Sequence, residues 1–266
     1  MIALITGASS GIGEATARLL AREPGSELIL VARREERLKA LASELGCATA
    51  IAADLTDEDA PARIAAVVEA EHGGLDLLVN NAGAAWRAPF AEGGWDNVRR
   101  HMQLDFDAQV RVTEALLPLV RRNAPSAIVN VSSTAGRVAR DGTGAYSAAK
   151  FALAGWTDAL HFEEAPHGVH VGLVLPGFVS TEGFPQRELT DRLLTRWIVS
   201  TPERVAEAIV DAGPGGRAER YVPRPYWIAA ALRVCAPRLV RRVLGGRAAD
   251  LLATQTRTGG RGADLH

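Results

Sequence analysis

Lysine is nearly absent from this chain: of its 30 basic residues only Lys39 and Lys150 are lysine. Cysteine is as scarce, with Cys47 and Cys235 alone, too few for a disulfide framework. A reducing, cytoplasmic setting is therefore expected. Charge of one sign is lacking too, because 31 acidic residues leave a formal net charge of −1, and no basic excess argues for nucleic acid. The longest uncharged stretch, Ala165 to Thr181, contains two prolines and three glycines and cannot span a membrane. The opening MIALITG carries no charged leader, which predicts no signal peptide. No repeat or low-complexity segment is present, and no metal site is expected.

What is present is ample core material, 47% apolar over 266 residues, enough for one large α/β domain or two small ones. β-Branched runs alternate with longer helical patterns, which predicts a parallel sheet covered on both faces. The expected strands are Ile2–Thr6, Glu27–Ala32, Thr49–Ala53, Leu75–Asn80, Ala127–Val131, Val169–Leu175 and Arg220–Val222. Helices are expected at Ile12–Glu23, Arg34–Leu45 and Asp57–Glu71, the last capped by Thr56 and first-turn carboxylates, with Gly46 closing the second. Seven strands and roughly six helices read as a single doubly wound α/β domain of Rossmann type over residues 1–222, followed by a helical extension, 223–266, whose Thr- and Gly-rich end is expected to be mobile.

The first strand runs into Thr6-Gly7-Ala8-Ser9-Ser10-Gly11-Ile12-Gly13 and then a helix. Glycines there let backbone approach a pyrophosphate, while the helix start supplies unpaired N–H donors. The spacing is not G-x-G-x-x-G, so a plain tight turn is the alternative. About 20 residues beyond the last of these glycines, where such a fold reads the adenosine ribose, stand Arg33 and Arg34. Two guanidiniums suit a 2′-phosphate where an aspartate would repel it, so NADP(H) is favoured over NAD(H). The alternative is a solvated helix start, since Arg33 to Arg37 is a run of mixed charge.

Tyr146 and Lys150 stand at i and i+4 in a helical segment and share one face. A phenol is a weak acid or base at neutral pH, and an ammonium one turn away moves it toward working pH. With three tyrosines and two lysines in the chain, such a pair arises by chance about 0.02 times. Ser133, at the end of the fifth strand, lies where open sheets present ligands and could hold a substrate oxygen beside the phenol.

Taken together, these residues resemble the short-chain dehydrogenase/reductase family over about residues 2 to 222. The motifs are Thr6-Gly7-x-x-x-Gly11-x-Gly13, Asp54-Leu55, Asn80-Asn81-Ala82-Gly83, Ser133, Tyr146-x-x-x-Lys150 and Pro176-Gly177-x-Val179-x-Thr181. The resemblance implies hydride transfer between nicotinamide and a small-molecule carbonyl or secondary alcohol, and assembly as a homodimer or homotetramer. It makes Tyr146 the general acid or base, Lys150 its pKa partner and a ribose contact, and Ser133 the group that orients the substrate oxygen. It also puts Ser9, Ser10, Ile12, Asp54, Leu55, Asn81, Ala82, Gly83, Pro176, Gly177, Val179 and Thr181 beside the cofactor. One position departs from the pattern: Asp105 stands where the family has a catalytic asparagine. An aspartate there would favour protonated Lys150; a harmless swap is preferred over impaired catalysis.

Residues 182–200, with Phe184, Leu193, Leu194, Trp197 and Ile198, are expected to form an apolar substrate lid, with Trp86 and Phe90 lining the same cleft; the alternative for all seven is ordinary core or dimer contacts. An apolar substrate is therefore expected, with a 3-oxoacyl thioester as the narrower alternative. A cofactor-binding regulator without turnover is the alternative from another class. Arg217–Arg247 holds eight arginines against one glutamate, a local +7, with Ile228, Leu232, Cys235, Leu239 and Val243 at helical steps. It reads as an amphipathic helix bent at Pro237, packed on the body or a second subunit, with peripheral membrane contact the less favoured reading.

Overall fold

The computed structural model describes residues 1–180 and 199–244. Its centre is a seven-stranded, wholly parallel sheet in the order β3-β2-β1-β4-β5-β6-β9. The strands are β1 (Ile2–Thr6), β2 (Glu27–Ala32), β3 (Ala48–Ala52), β4 (Leu77–Asn80), β5 (Ser126–Val131), β6 (Val169–Pro176) and β9 (Glu219–Val222). Two further strands, β7 (Phe178–Val179) and β8 (Val199–Ser200), form a separate two-stranded parallel pair. They escape sequence reading because two residues are too few to show a period.

Alternation along each strand divides the core between the two faces of the sheet. Ala3, Ile5, Leu28, Leu30, Leu77 and Val79 face one way, against helices α1 (Gly11–Leu20), α2 (Glu35–Leu45) and α7 (Pro202–Ala212). Leu4, Ile29, Val31 and Leu78 face the other, against α3 (Ala60–His72), α5 (Ala108–Arg122) and α6 (Gly144–Glu164). A sheet buried on both sides explains why its strands read as near-continuous apolar runs.

Several expected boundaries move for local reasons. Helix α3 begins at Ala60 rather than Asp57, because the N–H and hydroxyl of Thr56 both donate to Asp54 Oδ1, at 2.9 and 2.7 Å, and hold a turn. Strand β4 begins at Leu77 rather than Leu75, whose N–H donates instead to the Leu119 carbonyl. Helix α1 ends at Leu20, with Arg22 and Glu23 in turns. Gly46 does close α2 in the left-handed conformation, at φ 69°.

Helix α4 (Phe90–Met102) runs through one π turn, Gln103–Asp107, into α5, so Asp105 sits on a locally widened stretch of helix. Between β4, β5 and their covering helices lies a buried polar strut. Asn80 Nδ2 donates to Thr113 Oγ1 and Asn130 Oδ1, and Asn130 Nδ2 donates to Thr157 Oγ1, all at 2.8 or 2.9 Å. After β9 the chain forms α8 (Tyr226–Cys235) and α9 (Pro237–Leu244), broken at Ala236 as the proline requires. The expected packing on the body is not seen for its apolar stripe: Ile228, Leu232, Leu239 and Val243 are all exposed. Among the described residues no helix is long and apolar enough to cross a membrane.

Candidate active site

The carboxyl ends of β1, β4, β5 and β6 open onto one cleft of about 340 Å³. Its walls bring together Gly7, Ser10, Gly11 and Ile12 from the first turn, Asn81 to Gly83 after β4, Ser133 after β5, Tyr146 and Lys150 on α6, Asp105, and Pro176 at the end of β6 with Gly177 and Val179 just beyond it.

The glycine-rich turn has the shape of a phosphate cradle. Gly7 holds φ 67°, and a Cβ there would lie 2.9 Å from the Ala82 Cα. A Cβ on Gly13 would lie 2.3 Å from the Gly7 carbonyl oxygen, so the turn packs directly on the first turn of α1. Ser10 precedes α1 without capping it, which leaves the first N–H groups of that helix for a ligand. Thr6 and Asn81 brace the cradle: Thr6 Oγ1 accepts the N–H groups of Asn81 and Ala82, and Asn81 Nδ2 donates to the Thr6 carbonyl. Gln109 Nε2 holds the Ala82 carbonyl from α5 at 2.8 Å. This donor set fits the pyrophosphate of a dinucleotide.

At the end of β2, Arg34 Nε donates to Ser9 Oγ at 3.1 Å, and its Nη2 donates to Ser10 Oγ. Arg33 stands 3.7 Å from Asp54 and is largely exposed. Burial pushes the Asp54 carboxyl up, but the two Thr56 hydrogen bonds and Arg33 outweigh it, leaving Asp54 below the usual range. Leu55 is buried in the core, and neither it nor Asp54 lines the described cleft.

Ser133 Oγ accepts the Ala135 N–H at 3.1 Å, lies 3.4 Å from the Pro176 carbonyl, to which it donates, and shares the cleft wall with Tyr146. Lys150 is buried, with Nζ 5.9 Å from the Tyr146 ring centre, 3.2 Å from the Val131 carbonyl and 3.4 Å from Asp105 Oδ1. Burial pushes the Tyr146 phenol above its usual value; Lys150 opposes this, Asp105 adds to it, and Ser133 and Arg87 pull it back. Asp105 is fully buried. Burial pushes its carboxyl up against the pull of Lys150 and the Ala84 N–H, which reaches Oδ1 at 3.2 Å. A Cβ on Gly83 would lie 2.5 Å from the same oxygen, so this approach requires glycine.

Three residues beyond the sequence reading belong to the site. Arg87 and Arg140 line the cleft beside Tyr146. His101 is buried beneath it, its ring 5.8 Å from that of Tyr146. His101 Nε2 accepts the Trp86 N–H, and Nδ1 donates to the Asn97 carbonyl at 2.9 Å, so its two partners fix the orientation of the ring. Sequence proximity was the available signal: Arg87 follows Gly83 by four residues and Arg140 precedes Tyr146 by six. Trp86 and Phe90 do not line the cleft. Trp86 packs edge-on against His101 with the Arg100 guanidinium 3.6 Å from its ring centre, and Phe90 faces solvent. Thr181 and the expected lid residues Phe184, Leu193, Leu194, Trp197 and Ile198 lie outside the described residues.

Comparison with known proteins gives a consistent result. A family model described as short chain dehydrogenase matches residues 1–191. The chain is 35% identical over 198 residues to the Bacillus subtilis oxidoreductase YxjF, covering 73% of this chain and 77% of that protein. It is 31% identical over 242 residues to the zebrafish (Danio rerio) 3-dehydrosphinganine reductase, covering 85% and 73%. Among solved structures it resembles the Pseudomonas aeruginosa RhlG/NADP active-site complex, with a TM-score of 0.73 and 30% identity over 83% of this chain and 93% of that one.

Proposed function

The chain belongs to the short-chain dehydrogenase/reductase family of oxidoreductases, and from that premise we propose that it transfers hydride between NADP(H) and a carbonyl or secondary alcohol. The observation that carries the proposal is the meeting of Ser133, Tyr146 and Lys150 in the cleft that also contains the glycine-rich turn. Nicotinamide, when bound, supplies or accepts the hydride. The work of the protein is positional and electrostatic. Ser133, anchored through its Ala135 contact, offers its hydroxyl to the substrate oxygen. Tyr146 gives that oxygen a proton in reduction and removes it in oxidation. Lys150 holds positive charge near the phenolate while Val131 and Asp105 fix its ammonium. Gly7, Gly11 and the α1 N-terminus take the pyrophosphate, and Pro176 to Val179 border the nicotinamide side.

Preference for NADP(H) is supported by the two guanidiniums at the end of β2, Arg34 held over the turn by Ser9 and Ser10 and Arg33 beside it. The NADP complex of RhlG points the same way. A reducing, cytoplasmic setting is supported by the free thiols of Cys47 and Cys235. A homodimer or homotetramer is supported by exposed Trp95, Phe162 and Trp227, and light scattering of the purified protein measures it. The deciding experiment follows NADPH and NADH oxidation against aliphatic, aryl, steroid and 3-oxoacyl carbonyl compounds. Turnover abolished by Tyr146→Phe supports the reading; turnover that survives the substitution overturns it.

A further inference from the structure

After the last strand of the sheet the chain turns an apolar helical surface outward. Six of the ten large apolar side chains exposed among the described residues fall between Trp227 and Val243. Helix α8 winds at about 100° per residue, which gathers Trp227, Ile228, Ala231, Leu232, Val234 and Cys235 into one arc of about 160°, and all six are exposed. Its one charged residue, Arg233, sits on the opposite side and is half-buried. That inner side holds the helix to the body: a Cβ on Gly177 of the cleft wall would lie 2.4 Å from the Tyr226 ring, so backbone and ring are in direct contact. In α9, Leu239 and Val243 are exposed one turn apart, and Arg238, Arg241 and Arg242 are exposed beside them.

Outward apolar side chains are ordinarily scattered singly, and a contiguous set marks a surface that something covers. The charge pattern selects the cover. From residue 221 to residue 244 the chain has five arginines and no acidic residue, although its overall formal charge is −1. A twofold contact uses the same patch on both copies. A second chain seated here would bring Arg238, Arg241 and Arg242 towards their own counterparts, with no carboxylate in the segment to answer them. Exposed Trp95 and Phe162 lie on α4 and α6, outside this segment, and remain for contacts between copies. A nucleic acid would meet the arginines and leave the apolar arc in water. An anionic lipid surface satisfies both: its phosphates take the guanidiniums, its acyl boundary takes the aliphatic side chains, and an indole such as that of Trp227 suits the headgroup level. At ten and eight residues neither helix is long enough to cross a bilayer, so the segment can only lie along the surface.

We infer that α8 and α9 seat the chain on an anionic membrane surface, with the apolar arc of α8 in the interface and the arginines of α9 on lipid phosphates. Peripheral membrane contact was the less favoured expectation from sequence, and it gains from the outward turn of a stripe expected to pack on the body. Through Tyr226 and Gly177 the seat adjoins the wall of the cleft. Attachment of this kind does not depend on the reaction proposed above and is measured without turnover.

The test uses the full-length protein with vesicles of phosphatidylcholine alone or of phosphatidylcholine mixed equally with phosphatidylglycerol, read by co-sedimentation at low and physiological salt. Expected is partitioning onto the anionic vesicles stronger by about tenfold, and weakened by salt. The triple variant Arg238→Gln, Arg241→Gln, Arg242→Gln should lose about tenfold of it. The double variant Val234→Ser, Leu239→Ser should lose about fivefold or more. Brominated acyl chains should quench tryptophan emission in the wild type and quench it less in Trp227→Phe. Every substituted side chain is exposed, so thermal melts of the variants should coincide with that of the wild type. Should the serine variant fail to fold, the Trp227 quenching still reports whether the apolar arc enters the lipid. Absence of partitioning at low salt overturns the seat, as does equal partitioning onto both vesicles. Partitioning that depends on the arginines while the serine variant and the quenching show no insertion is plain charge attraction and overturns it as well. Light scattering supplies the remaining outcome: an oligomer dissociated by the serine variant, in a protein that ignores both vesicles, assigns the face to a second copy and refutes the lipid.

Discussion

The buried Asp105–Lys150 pair gives a quantitative test of how the phenol is tuned. Lys150 Nζ lies 3.4 Å from Asp105 Oδ1 and 5.9 Å from the centre of the Tyr146 ring, so carboxylate and ring are separated by no more than about 9 Å. Two unit charges at that separation interact by ~1.8 kcal/mol at an effective dielectric of about 20, equivalent to ~1.3 pH units. Asp105→Asn removes the negative charge and keeps an amide oxygen for the Ala84 N–H. The phenolate is then less opposed, and the Tyr146 pKa falls. Alcohol oxidation needs the phenolate, so the acid limb of its kcat/KM profile should move to lower pH by about one unit. Ketone reduction needs the phenol, so its alkaline limb should move down by a similar amount. Plateau rates should change little, less than about threefold. Both limbs are measurable in initial-rate assays across pH with NADP+ and NADPH. An acid limb that stays in place, or moves up, would refute the reasoning, because Asp105 would then be uncharged at working pH or electrically remote from the phenol.

Other consequences follow from the same contacts. Gly13→Ala forces a methyl against the Gly7 carbonyl oxygen, so cofactor binding should fall by tenfold or more and stability by ~1–3 kcal/mol, read by titration and thermal melts. Arg33→Asp should invert the ratio of affinities for NADPH and NADH, since a carboxylate beside Asp54 repels a 2′-phosphate and accepts from a 2′-hydroxyl; an unchanged ratio counts against the cofactor assignment. Leu78→Ala, at a fully buried position in the central sheet, should cost ~2–5 kcal/mol in denaturant unfolding. Arg121 grips buried Glu164 with two hydrogen bonds of 2.7 and 2.8 Å, which hold the Glu164 carboxyl below its usual range. A depressed carboxyl contributes stability that is present above its unfolded pKa of about 4.3 and is lost as pH falls through the folded value. Glu164→Gln should therefore flatten the acid limb of the stability curve, by ~1 kcal/mol because Arg121 is partly solvated.

The sheet and the chemical centre were legible in the sequence because both depend on local pattern. Apolar runs mark parallel strands buried on both faces, and the turn from Gly7 to Gly13 and the one-turn spacing of Tyr146 and Lys150 are set by neighbours in the chain. What was hidden depends on contacts across the fold. Thr56 looks like a helix cap but is claimed by Asp54. Trp86 looks like a pocket aromatic but is spent on His101 and Arg100. Arg87 and Arg140 stand 53 positions apart and meet only because Ala88 and Gly142 join their loops. Asp105 was visible as a departure from a pattern, whereas its direct approach to Lys150 depends on the widened helical turn that carries it.

That widened turn sets the phase of everything on either side of it. An α-helix advances about 100° per residue, so the single extra residue accommodated between Gln103 and Asp107 puts α4 and α5 out of step as one continuous spiral. His101, beneath the Tyr146 ring, and Gln109, on the Ala82 carbonyl, are correctly aimed only with that offset in place. Length within this five-residue window is thus as constrained as composition. A deletion of one residue there would let the helix close into a regular spiral and rotate one bank of contacts away from the cleft, although every side chain that makes those contacts would still be present.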